Sequence, residues 1–151
     1  RDGHTRGVAE RCASELGGER IEVRDKSGYN AVTVYLIGAF RARLGRRDPI
    51  EPKAIDVSAC DTLVVGSPVW AGKPTPAMNS ALDALTGARG KKGIVYVTCG
   101  GSPGVSMELL KRGLAARGVQ VKKGEIFTHR DLPEGEKIQR FVETVRRVSS
   151  A

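Results

Sequence analysis

The sequence predicts a doubly wound α/β domain, a parallel sheet covered by helices on both faces. Three observations lead to that fold class. Residues 62–66 (TLVVG) and 93–98 (GIVYVT) are continuously apolar, as strands buried on both faces are. Between such runs lie segments whose apolar residues recur at helical spacing. Two further segments alternate apolar with polar residues, the pattern of strands at sheet edges. Strands that alternate with helices imply right-handed crossovers, which place helices against a parallel sheet.

Taken in order, residues 5–16 put Val8, Ala9, Cys12, Ala13 and Leu16 on one helical stripe, and Gly17-Gly18 supplies the stop. RIEV, with Ile21 and Val23, alternates as an edge strand would. Tyr29, Val32, Leu36 and Phe40 follow helical spacing in a segment that reads as a packed insertion. The strand at 62–66 comes next, then a loop, then a helix over 75–85 that Pro76 is well placed to open. The strand at 93–98 leads through a glycine-rich loop to a helix over 102–117, stopped by Gly118. Residues 119–127 (VQVKKGEIF) alternate as a second edge strand. The last helix carries Ile138, Phe141, Val142, Val145 and Val148 on one stripe. Because the first helix begins almost at once, the pattern expects a central strand ahead of Arg1 that these residues do not contain.

With 151 residues, no repeat and no long linker, the expectation is a single domain over residues 1–151. Hydrophobic residues make up 40% and charged residues 28%, and no apolar run approaches the roughly 18 residues of a membrane helix. No charged-then-apolar leader opens the sequence. Cys12, Cys60 and Cys99 are odd in number and form no C-x-x-C pair, which argues against a disulfide framework or zinc site and fits a reducing cytoplasm. Lys plus Arg number 25 against 17 Asp plus Glu, a net +8. The basic residues are scattered through RARLGRR (41–47), Lys91-Lys92, Lys122-Lys123 and Arg146-Arg147 without an aromatic-basic motif. They read as solvated faces, not as a nucleic-acid site.

In an open parallel sheet, ligands bind beyond the carboxyl ends of the strands. Three loops qualify. RDGHT (1–5) stands at a helix start, where free N–H groups and the helix dipole favour a phosphate, although Asp2 or Thr5 could instead cap the helix. GSPVWAGKPTP (66–76), stiffened by three prolines, holds Trp70, the only tryptophan, where a flat ring could stack on it. TCGGSPGVS (98–106) has three glycines whose backbone groups could bond a polar ring edge. Cys99 has no histidine nearby in sequence and reads as a small buried thiol, not a nucleophile. His4 and His129 lack metal-site spacing, and no metal or catalytic residue is assigned.

A phosphate grip, a stacking surface and a set of bonds for a polar ring edge together describe a site for flavin mononucleotide (FMN). Over nearly its whole length the chain resembles the flavodoxin family: RDGHT its phosphate loop, GSPVWAG its aromatic flavin loop and TCGG its second flavin loop. The resemblance implies a flavodoxin-like sheet in the order 2-1-3-4-5. It further implies that Arg1, Gly3, His4 and Thr5 hold the phosphate and that Trp70 covers one flavin face. Pro68, Val69, Ala71 and Gly72 would lie near the flavin edge, and Cys99, Gly100 and Gly101 would face the pyrimidine. Two departures stand out. The second flavin loop lacks the aromatic residue that many flavodoxins stack on the opposite face, which leaves room for a substrate. The charge of +8 contrasts with the usual acidity of flavodoxins and so points to a different redox partner protein. The leading expectation is an FMN-binding electron carrier. The alternative is an FMN-dependent NAD(P)H or quinone oxidoreductase, since RDGHT also resembles the phosphate loop of the menaquinone-dependent protoporphyrinogen oxidases. A third reading is a flavin-free binding module on the same fold.

Overall fold

A computed structural model describes residues 3–28, 39–133 and 135–151. In chain order the elements are α1 (His4–Leu16), β1 (Arg24–Asp25), α2 (Ala39–Arg43), β2 (Ile50–Glu51), β3 (Ile55–Asp56), β4 (Thr62–Trp70) and β5 (Lys73–Pro74). There follow α3 (Pro76–Ala84), β6 (Leu85–Thr86), β7 (Lys92–Cys99), α4 (Ser106–Ala115), β8 (Gln120–Thr128) and α5 (Glu136–Ser150).

The main sheet has the order β5-β4-β7-β8. β4, β7 and β8 are parallel, with Thr62 opposite Lys92 and Cys99 opposite Thr128, and β5 folds back antiparallel on β4. The three parallel strands in consecutive order correspond to members 3-4-5 of the expected sheet. β7 explains the apolar runs. Its Ile94 and Tyr96 enter a core with Val8, Cys12, Phe127, Phe141, Val142 and Val145, under α1 and α5. Its Val95 and Val97 enter the opposite core with Leu63, Ala81, Leu82, Leu110 and Leu114, under α3 and α4. A strand that packs on both faces has no polar side to show.

Local chemistry sets the helix ends. Gly17 adopts φ 67° after α1 and bonds back to the Ala13 carbonyl, the left-handed turn that glycine permits without a steric penalty. At α3, the Thr75 hydroxyl accepts from the Met78 N–H at 3.2 Å, and Pro76 fills the first helical position, as N-terminal rules lead one to expect. Tyr96, Phe127 and Phe141 meet edge to face with centroids 5.5–6.0 Å apart, tying β7 and β8 to α5 by contacts worth about 0.5–1.5 kcal/mol each beyond their area.

Four expectations are corrected. Ile21 and Val23 form no strand. The ladder there is Arg24–Asp25 with Ile50–Glu51, antiparallel, and Ile21 is 42% exposed; two apolar residues among charges bury too little to hold an edge. Phe40 is 61% exposed while Ala42 is fully buried, so the packed side of α2 is not the one that spacing suggested. Tyr29, Val32 and Leu36 lie outside the described residues. α4 begins at Ser106 rather than Ser102, because Gly104 (φ 53°) turns the chain first. Finally, β4 runs on through Trp70 instead of ending at Gly66.

Candidate functional site

Trp70 is thus the last residue of a strand, not a loop residue. It pairs with Lys73 across a two-residue turn in which Ala71 (φ 49°) and Gly72 (φ 75°) both take positive φ, as in the tight hairpins that match strand twist. The indole is half-buried.

The hairpin is locked to the third loop. Val105 N–H donates to the Gly72 carbonyl at 2.8 Å, and a Cβ on Gly104 would lie 2.3 Å from that same oxygen. Glycine at 104 is therefore required twice, by φ and by the approach of the Gly72 backbone. Gly100 and Gly101 stay exposed on the free side of this loop, their backbone groups open to a ligand edge. Cys99 ends β7 buried, its thiol donating to the Gly101 carbonyl at 3.5 Å. Burial pushes the thiol above its ordinary range, which keeps it protonated and unsuited to nucleophilic work.

The first loop joins the other two through β7. The Thr5 and Thr98 hydroxyls share a hydrogen bond at 2.5 Å, and the Tyr96 hydroxyl donates to the Thr5 carbonyl at 2.8 Å. Gly66 makes that reach possible, since a Cβ there would fall 2.0 Å from Tyr96 Cζ. Gly3 precedes α1 in the left-handed region with φ 72°, and among the described residues no side chain caps the helix. With Thr5 turned to Thr98, the capping alternative for that residue is set aside. The helix dipole favours an anion at these first-turn N–H groups. His4 lies at the same end, its ring edge-on to His129 with centroids 4.9 Å apart. Pro68 and Val69 line the end of β4. Arg1 lies outside the described residues.

The structure therefore brings Gly3, His4 and Thr5 to the end of β7, and the Trp70–Gly72 hairpin to the loop that follows β7. All belong to the carboxyl rim of the parallel sheet. Sequence reasoning missed Tyr96, Gly104 and His129. The turn after β8 is a further loop at the same rim, so the rule that selected the other loops applies equally to His129. Among the described residues no group of three or more His, Cys, Asp or Glu side chains could hold a metal, and no helix is long and apolar enough to cross a membrane.

The N–H groups of an anion-favouring helix start, a half-buried indole and exposed glycine backbone fit the phosphate, ring face and ring edge of FMN. Comparison with known proteins points the same way. The family model described as NADPH-dependent FMN reductase matches residues 1–133. Among solved structures, a candidate flavoprotein of Bacteroides uniformis superposes with a TM-score of 0.76 at 19% identity, over 94% of this chain and 92% of that one. A candidate flavoprotein of Bacteroides eggerthii superposes with a TM-score of 0.73 at 20% identity, over 95% and 91%. At that identity these two establish the flavodoxin-like fold. No curated protein sequence matches the chain.

Proposed function

The chain belongs to the NADPH-dependent FMN reductase family, and from that premise we propose that it is an FMN-binding oxidoreductase reduced directly by NADPH. The family match carries this reading, because residues 1–133 include all three loops of the rim. It favours the oxidoreductase expected as the alternative over the simple electron carrier. FMN, when bound, supplies two-electron chemistry able to accept a hydride from NADPH.

The residues of this chain bind and orient. The N–H groups of His4 and Thr5 and the dipole of α1 offset phosphate charge. The Thr5 and Thr98 hydroxyls share one hydrogen bond; with Thr98 as its donor, the Thr5 proton is available to a phosphate oxygen. Trp70 offers one ring face. The glycines at 100 and 101, exposed and without side chains, offer backbone donors and acceptors to the pyrimidine edge. The stretch from Gly100 to Val105 contains no aromatic residue, so the second ring face is left to the nicotinamide, which must approach within about 3–3.5 Å for transfer.

The test is anaerobic stopped-flow mixing of the FMN-loaded chain with NADPH. Loss of the oxidised flavin spectrum at a rate that saturates with NADPH is expected. A flavin that dithionite reduces at once but NADPH leaves oxidised for minutes would return the protein to the electron-carrier reading.

A further inference from the structure

His129 belongs to none of the three loops, yet it stands beside two of them. It lies in the turn after β8, exposed. Its ring meets the His4 ring at 4.9 Å and an interplanar angle of 70°, and a Cβ on Gly100 would sit 3.7 Å from His129 Cε1. Two imidazoles from separate elements therefore flank the start of α1, where the phosphate of a flavin nucleotide would bring up to two negative charges.

We propose that His129 acts with His4 as a second imidazole on the phosphate end of bound FMN, so that cofactor affinity, and the choice of FMN over riboflavin, depend on pH. This rests on the reading of the α1 start as the phosphate end. Imidazole is the side chain whose charge changes between about pH 5 and 8. A phosphate brought up to two imidazoles favours their cationic form. Binding of the dianion thus takes up protons, and affinity rises as pH falls. Riboflavin has no phosphate and lacks this gain.

Among the described residues, the other charges near the pair do not substitute for that anion. On α1, Arg6 is paired with Glu10 at 2.8 Å. In the turn after β8, Arg130 is exposed, and the Asp131 carboxylate accepts from the Thr128 N–H at 2.7 Å and its hydroxyl at 2.8 Å. Lys137 of α5 lies 3.2 Å from the same carboxylate. In the loop after β7, the Cys99 thiol is held neutral by burial.

The experiment titrates the full chain, freed of flavin, with FMN and with riboflavin at pH 6.5 and 8.5, following flavin fluorescence. This window lies above the second ionisation of the phosphate, near about pH 6. For the unaltered protein, FMN should bind about tenfold or more tighter at the lower pH, the scale of one charge-assisted hydrogen bond, with riboflavin unaffected. In His129→Gln the FMN ratio should fall to about threefold or less, with riboflavin affinity retained. A ratio in His129→Gln equal to that of the unaltered protein overturns the proposal. Should His129→Gln also lose riboflavin, His129→Asn is read in its place, alongside calorimetric proton uptake by the unaltered protein in buffers of different ionisation enthalpy. FMN binding with no uptake at pH 7.5 overturns the proposal without any variant. A chain that binds neither flavin at either pH overturns the reading of the site itself, whereas FMN bound with pH-independent affinity overturns only the role given to the two imidazoles.

Discussion

The Tyr96 hydroxyl donates to the Thr5 backbone carbonyl at 2.8 Å, so a side chain from the centre of the sheet holds the start of the helix proposed to carry phosphate. Tyr96 is 2% exposed. Tyr96→Phe keeps the ring contacts and removes only this bond, which should cost about 1 kcal/mol of stability. Thermal unfolding should show a midpoint lower by about 2–6 °C, and FMN affinity should fall with it if the bond also orders the phosphate end. An unchanged midpoint would mean that the contact is dispensable.

Gly66 is the counterpart of that reach. With a Cβ 2.0 Å from Tyr96 Cζ, Gly66→Ala must displace the ring, and overpacking of this kind costs about 1–3 kcal/mol. The two sites are in contact, so their effects should not add. In denaturant titrations Gly66→Ala should be markedly milder on a Tyr96→Leu background than alone, whereas simple additivity would show that the ring is not what excludes the methyl group.

How far the fold can be read from sequence follows from these same contacts. β7 is legible because Ile94 and Tyr96 serve one core and Val95 and Val97 the other, which leaves a continuous apolar run. The continuation of β4 is not legible, because Gly66 and Pro68 read as breakers. Gly66 persists in the strand since the Tyr96 ring occupies the space of its missing side chain, a cross-strand fact invisible along the chain. The start of α1, proposed as the phosphate end, is legible from RDGHT, since glycine before a helix is a local signal. The place of His129 depends on register, with Thr128 opposite Cys99 bringing the next residue beside Gly100. The strand expected at Ile21 and Val23 fails because local alternation supplies no partner to pair with.

The lock between hairpin and third loop can be tested by two glycines in one loop. Gly104→Ala places a methyl group 2.3 Å from the Gly72 oxygen, at φ 53°, and should cost more than about 1 kcal/mol while loosening the hairpin that carries Trp70. Gly101→Ala meets nothing within 4 Å and should leave the unfolding midpoint nearly unchanged. Equal stability losses in the two variants would refute the lock.

Burial pushes the Cys12 thiol up to about 11 from an ordinary 9.0. The folded state therefore holds a proton that the unfolded chain gives up, so the stability this group contributes is present below about pH 9 and is lost as pH rises toward 11. Unfolding midpoints measured from pH 8 to 11 should fall, and the fall should be shallower in Cys12→Ala, whose starting stability is lower because a cavity replaces the thiol. Parallel curves for the two proteins would show that Cys12 does not set the alkaline limb.

Trp70 is the one aromatic residue proposed to face the flavin, and its position at the end of β4, opposite Lys73, makes the consequence of removing it specific. The hairpin turn at Ala71 and Gly72 is backbone-determined, and the Gly72 carbonyl is held by Val105, so truncation at position 70 should leave the rim in place while deleting the stacking surface. Trp70→Ala should then weaken FMN binding by about 0.5–1.5 kcal/mol, the worth of an aromatic pair, with little change in the amide hydrogen exchange of Val105. Because this is the only tryptophan, its fluorescence reports the contact directly and should be strongly quenched when FMN is added to the flavin-free protein. Bright tryptophan emission in the FMN-loaded chain, together with undiminished affinity in Trp70→Ala, would show that the indole packs on the protein alone.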